Sequence, residues 1–123
     1  MLKVSHLGID IGGAHLKVIG INKSKKVVFV DYKSCKIWEG IENLQAKFRN
    51  INKIVKNNSV KCGITMSGEM CDNFKNRLHG AKSLIEESNN LGLNVFFYVS
   101  SKKIFTKKPN YRQLISFNWH SIG

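Results

Sequence analysis

Several things are scarce in this chain, and each shortage narrows what it can be. One proline, Pro109, stands among 123 residues beside ten glycines, which excludes collagen-like and proline-rich classes. No apolar run approaches the ~18 residues a membrane span needs, so no membrane partner is expected. The opening stretch, MLKVSHLGIDIGG, lacks a secretory hydrophobic region and cleavage site, so the expected compartment is the cytoplasm. The three cysteines, Cys35, Cys62 and Cys71, are odd in number and widely spaced. They form no Cys-x-x-Cys pair or Cys/His zinc spacing and read as reduced structural thiols. There is no GxGxxG, no Walker-type phosphate loop, no GxSxG elbow and no Ser/His/Asp triad. Acidic residues are scarce too: 8 against 20 basic ones, a net charge of +12.

That charge raises nucleic acid as a partner. Its make-up argues the other way. Only Arg49, Arg77 and Arg112 are arginines, and base readout and phosphate forks favour arginine. The lysines are scattered and travel with many Asn and Ile residues, as a codon bias would produce. A phosphate-bearing small molecule remains compatible with the charge.

What is present is a globular composition, with 42% hydrophobic and 23% charged residues. The length suits one domain, which buries roughly two-thirds of its unfolded surface. In residues 4–11, Val4, Leu7, Ile9 and Ile11 alternate with one slip near His6, predicting a strand. Gly12-Gly13 then predicts a tight turn with unusual backbone angles. Strands follow at 15–21, with Leu16, Val18 and Gly20 on one face, and at 26–32, giving an antiparallel meander. From 40 to 57 the apolar residues Ile41, Leu44, Phe48, Ile51, Ile54 and Val55 recur at helical spacing. A buried strand is predicted at 60–66. A second helix follows over 72–88 on Phe74, Leu78, Ala81 and Ile85, with Asp72 as N-cap and Gly92 near its C-terminal cap. A strand at 94–99 and a short helix over 110–117, entered through Pro109, complete the order β-β-β-α-β-α-β-α. The expected object is an α/β domain with a mixed five-stranded sheet.

Two segments carry candidate chemistry. In LGIDIGGAHLK (7–17), Asp10 ends an apolar strand beside Gly12-Gly13, whose amides can face phosphate oxygens. Asp10 can hold Mg2+ through water, and Lys17 adds positive charge. The plain alternative is an ordinary hairpin with an exposed aspartate. In TMSGEMCD (65–72), Thr65, Ser67 and Gly68 offer hydroxyls and a close backbone between a strand and a helix, where ligands of parallel sheets gather. Glu69 can act as a base or a metal-water ligand, or simply cap the helix together with Asp72. Asn118-Trp119-His120 can line a pocket or form a tail. His15 and His79 read more readily as surface or packing histidines than as ligands.

Taken together, DIGGAHLK (10–17), Trp38-x-Gly40, TMSGEMCDNF (65–74), Arg77 with Gly80, and NWH (118–120) resemble one family, in order and in spacing over nearly the whole chain. It is the hydantoinase A/oxoprolinase-like group of the actin-like ATPase superfamily. Within it the resemblance is to the tetrahydromethanopterin-linked one-carbon transfer pathway proteins, which are similar to the methanofuran-biosynthesis synthase. The resemblance implies a ribonuclease H-like N-terminal domain over 1–117, with 118–123 starting a linker to a second domain that closes the cleft. It implies transfer of an aminomethylfuran group from its diphosphate to a phenol with Mg2+, or, as the alternative, an ATP-dependent kinase or hydrolase. By the same resemblance Asp10 would hold the metal, and Gly12, Gly13, Ala14 and His15 would line the phosphate loop. Lys17 would be a weaker phosphate contact and Glu69 a catalytic acid or base. The second domain, or a split subunit, is then the expected partner. An inactive truncated module is the remaining alternative, and a face bared by loss of that domain would favour self-association.

Overall fold

The computed structural model describes residues 3–55, 59–66, 74–99 and 102–109. Six strands form one mixed sheet: β1 (His6–Ile11), β2 (His15–Ile21), β3 (Val27–Ser34), β4 (Lys61–Met66), β5 (Asn94–Val99) and β6 (Ile104–Thr106). Their spatial order is β3-β2-β1-β4-β5-β6. β1, β2 and β3 form the expected antiparallel meander, whereas β1 pairs with β4, and β4 with β5, in parallel. Among the described residues the helices are α1 (Glu42–Val55) and α2 (Arg77–Asn89), with a 3-10 turn at Ile37–Glu39.

The five-stranded expectation is corrected by β6. Lys103 takes a left-handed backbone (φ 52°), and the chain then pairs antiparallel with the outer side of β5. Three residues are too short for alternation to announce a strand. α2 also starts later than predicted: Asn76 is its N-cap, its side chain accepting from the His79 amide at 2.8 Å. Asp72, the predicted cap, and the predicted helix over 110–117 lie outside the described residues. Among the described residues no helix is long and apolar enough to cross a membrane.

The core lies on one side of the sheet. Leu7, Ile9 and Ile11 of β1, Leu16 and Val18 of β2, and Cys62, Ile64 and Met66 of β4 all point there and are buried. Leu44, Phe48, Ile51 and Val55 of α1 meet them, as do Leu84 and Ile85 of α2. Ile54 and Leu78, counted on these stripes in the sequence, lie at the flanks and are only partly covered. α1 follows β3 and leads into β4, α2 links β4 to β5, and both helices pack on this same face. The other face carries His6, Gly8 and Asp10 of β1, which alternate with the core residues.

Candidate functional site

The alternation that buries Ile9 and Ile11 turns Asp10 to the face opposite α1 and α2. Strand register then decides its neighbours. Asp10 lies opposite Lys17 on β2 and opposite Thr65 on β4, and Lys17 lies opposite Tyr32 on β3. Four strands therefore set Tyr32, Lys17, Asp10 and Thr65 in one row. The Thr65 hydroxyl donates to Asp10 Oδ1 at 2.9 Å, and Lys17 Nζ stands 3.5 Å from Oδ2. Lys17 Nζ also lies 5.9 Å from the Tyr32 ring centroid. His15, two residues before Lys17 and on the same face, stacks on Tyr32 with centroids 5.0 Å apart. This row sits at the carboxyl ends of the adjacent parallel strands β1 and β4, where side chains and following loops converge on a ligand.

The hairpin between β1 and β2 is braced from behind. Gly12 N–H donates to the His15 carbonyl at 3.0 Å and closes the turn. The Cys35 amide donates to the Ala14 carbonyl at 2.8 Å, and the Ile37 amide to the Gly13 carbonyl at 3.2 Å. Cys35 and Ile37 are themselves anchored in the core, so the loop rests on a rigid seat. Burial pushes the Cys35 thiol above its ordinary range, offset in part by the nearby Lys47. The predicted reason for the two glycines is corrected here. Neither Gly12 nor Gly13 takes the left-handed backbone, which is found at Gly40 (φ 147°) and Gly92 (φ 83°). At Gly12 the constraint is space, since a Cβ there would sit 3.1 Å from the His15 carbonyl oxygen.

No protein-family model matches this chain, and no curated protein matches it.

Of the residues singled out in the sequence, Asp10, Lys17, His15 and Thr65 share one face, and Gly12, Gly13 and Ala14 form the hairpin that joins β1 to β2 beyond them. Ser67, Gly68 and Glu69 of the second segment lie outside the described residues, as do Asn118, Trp119 and His120. His79 has a packing role: its Nδ1 accepts from the Lys75 amide at 3.2 Å and its ring meets Phe74 edge-on. Among the described residues no three His, Cys, Asp or Glu side chains cluster as a metal cage. Asp10 fits a different mode, in which one carboxylate holds a cation whose other ligands are water and phosphate oxygens, the usual arrangement for Mg2+. Sequence reading missed Tyr32. Only the β2–β3 register reveals it, because Tyr32 is opposite Lys17 and 22 residues beyond Asp10.

Proposed function

We propose that this domain is the phosphate-binding N-terminal half of a hydantoinase A/oxoprolinase-like enzyme with the ribonuclease H-like, actin-type fold. The strand order β3-β2-β1-β4-β5 with a leading meander supports the fold reading. The observation that carries the functional reading is the Asp10–Thr65–Lys17 row at the strand ends that lead into a braced Gly12-Gly13 hairpin. A carboxylate for the cation, a lysine and turn amides for the anion, and a hydroxyl that fixes the carboxylate are the parts a diphosphate site needs.

The reaction that suits these parts, on the family resemblance, is transfer of an aminomethylfuran group from its diphosphate to a phenol oxygen. Asp10 would hold Mg2+, which when bound neutralises charge gathering on the departing diphosphate. With the Gly12 N–H closing the turn on the His15 carbonyl, the rest of the loop backbone over residues 13–15 and Lys17 would face the diphosphate oxygens, and His15 would add a donor at the loop's outer edge. Glu69 would take the phenol proton. A second domain or subunit facing the hairpin would exclude water.

Backbone amide shifts of residues 12–17 test the reading when inorganic diphosphate, or ATP, is titrated with and without Mg2+. Saturable shifts in this loop with diphosphate and Mg2+ are expected. A loop that answers only to ATP would favour the kinase or hydrolase alternative, and a silent loop would end the phosphate reading.

A further inference from the structure

The two edges of the sheet are unlike. β6 ends it with three residues, whereas β3 ends it with eight. No residue of β3 is buried, so its outer side is open from both faces of the sheet. Val30 is 69% exposed and Tyr32 61%. Edge strands are commonly blunted by brevity, proline or several lysines. β3 reads VVFVDYKS, rich in β-branched and aromatic residues and with one lysine. Its register shift lies toward the Val27 end, opposite Gly20 and Ile21, and leaves residues 30–34 regular.

Register fixes which atoms this edge offers. The Cys35 amide donates to the Ala14 carbonyl, so these two form a hydrogen-bonded pair one step beyond His15–Ser34. Such pairs alternate along an antiparallel ladder. Lys33, Asp31 and Phe29 therefore bond inward to β2. Val30, Tyr32 and Ser34 turn their N–H and C=O groups outward, and among the described residues no strand receives them. Side chains sort by face. Asp31 lies opposite the buried Val18 and Lys33 opposite the buried Leu16, so both stand on the helix side. There Lys33 Nζ is 3.8 Å from Asp31 Oδ1.

We propose that this edge pairs with the same edge of a second copy, antiparallel about a two-fold axis at Tyr32. The two Tyr32 residues then meet on the axis, and Val30 of each copy meets Ser34 of the other, all exchanging backbone hydrogen bonds. Asp31 of each copy meets Lys33 of the other at the Cα spacing of about 4.5 Å that non-hydrogen-bonded pairs have. Opposite charges so placed are stabilising. Neighbouring registers lose this. An axis at Asp31 sets the two carboxylates against each other, and one at Lys33 sets the two ammonium groups together. An axis at Val30 puts Asp31 opposite Phe29. An axis between two residues faces outward groups with inward ones and forms no ladder. The charge pattern therefore makes the edge complementary to itself in one register. Pairing uses the Tyr32 backbone and leaves its ring on the face of the Lys17–Asp10 row, so the two candidate sites flank the axis. The pairing does not depend on what that row binds.

Sedimentation velocity of the full chain over a concentration series tests this, in ~150 mM salt to screen the net charge of +12. The wild type is expected to form a reversible dimer. Asp31→Lys and Lys33→Asp should each weaken it about tenfold, since both symmetric pairs turn from attraction to repulsion. Net charge moves in opposite directions in these two variants, so a loss in both does not come from overall repulsion. Combining Asp31→Lys with Lys33→Asp should restore the dimer to within about threefold of the wild type. Val30→Pro removes an outward amide and no bond to β2, and should leave a monomer with the wild-type circular dichroism. A monomeric wild type, or a dimer indifferent to the charge swaps or to Val30→Pro, would overturn the proposal. Should Val30→Pro fail to fold, the charge swaps decide alone.

Discussion

Replacing Thr65 by valine removes one hydroxyl while keeping the shape of the side chain, and so isolates its bond to Asp10. That bond is 2.9 Å long and charge-assisted. Bonds of this kind contribute about 1.5–3 kcal/mol when well shielded. The Asp10 side chain is 41% exposed, so water replaces part of what is lost. A net loss of about 1 kcal/mol follows, below the shielded range because of that exposure. The expected shift in Tm is roughly 4 °C for a domain of this size. If the hydroxyl also holds the carboxylate in position for a cation, Mg2+-dependent diphosphate affinity should fall about fivefold, the same free energy expressed as an equilibrium. Urea unfolding of the wild type, Thr65→Val, Asp10→Ala and the double variant gives the coupling directly. The expected coupling is about 1 kcal/mol with an unchanged urea slope. A coupling below about 0.3 kcal/mol, within the additivity error, would refute the argument that Thr65 and Asp10 act together.

Lys17→Met breaks an ion pair whose members are both largely exposed, so stability should move by less than about 0.5 kcal/mol while diphosphate binding weakens, as calorimetric titration would report. Gly12→Ala pushes a Cβ against the His15 carbonyl and should cost about 1–2 kcal/mol, with amide shifts concentrated in residues 12–15. Burial pushes the Cys62 thiol from 9.0 up to about 12, so the folded chain keeps it protonated after the unfolded chain has ionised it. Its contribution is therefore complete below pH 9 and is lost as the pH rises from 9 toward 12. The stability difference between wild type and Cys62→Ala should shrink by about 2 kcal/mol between pH 8 and pH 10.5 in urea unfolding.

Much of the fold was legible because its core is one-sided. β1, β2, β4 and β5 show alternation, since one face of each strand meets α1 and α2. β3 was legible for a different reason: as an edge strand, with Val27, Val30 and Tyr32 exposed, it carries β-branched and aromatic residues without a buried face. What stayed hidden depends on register. Gly8 and Gly63 are 55 residues apart and read separately as weak points of two strands, yet they are direct cross-strand neighbours. Asp10, Lys17 and Thr65 were each visible as candidates, but only pairing shows that they touch. The hairpin's support was equally silent, because it comes from the backbone amides of Cys35 and Ile37, which no side-chain pattern reports. The GG pair stands out in the sequence, but at Gly12 it answers to crowding against the His15 carbonyl and not to a positive φ.

The central claim is that Asp10 and the hairpin above it form one cation-and-phosphate site. Calorimetric titration of inorganic diphosphate into the wild type and Asp10→Asn, each with and without Mg2+, tests it most directly. The account predicts that Mg2+ tightens diphosphate binding at least tenfold in the wild type and leaves Asp10→Asn unchanged, with the variant folded and less stable by no more than about 1 kcal/mol. An equal gain from Mg2+ in the two proteins, or no diphosphate binding to either, would contradict it.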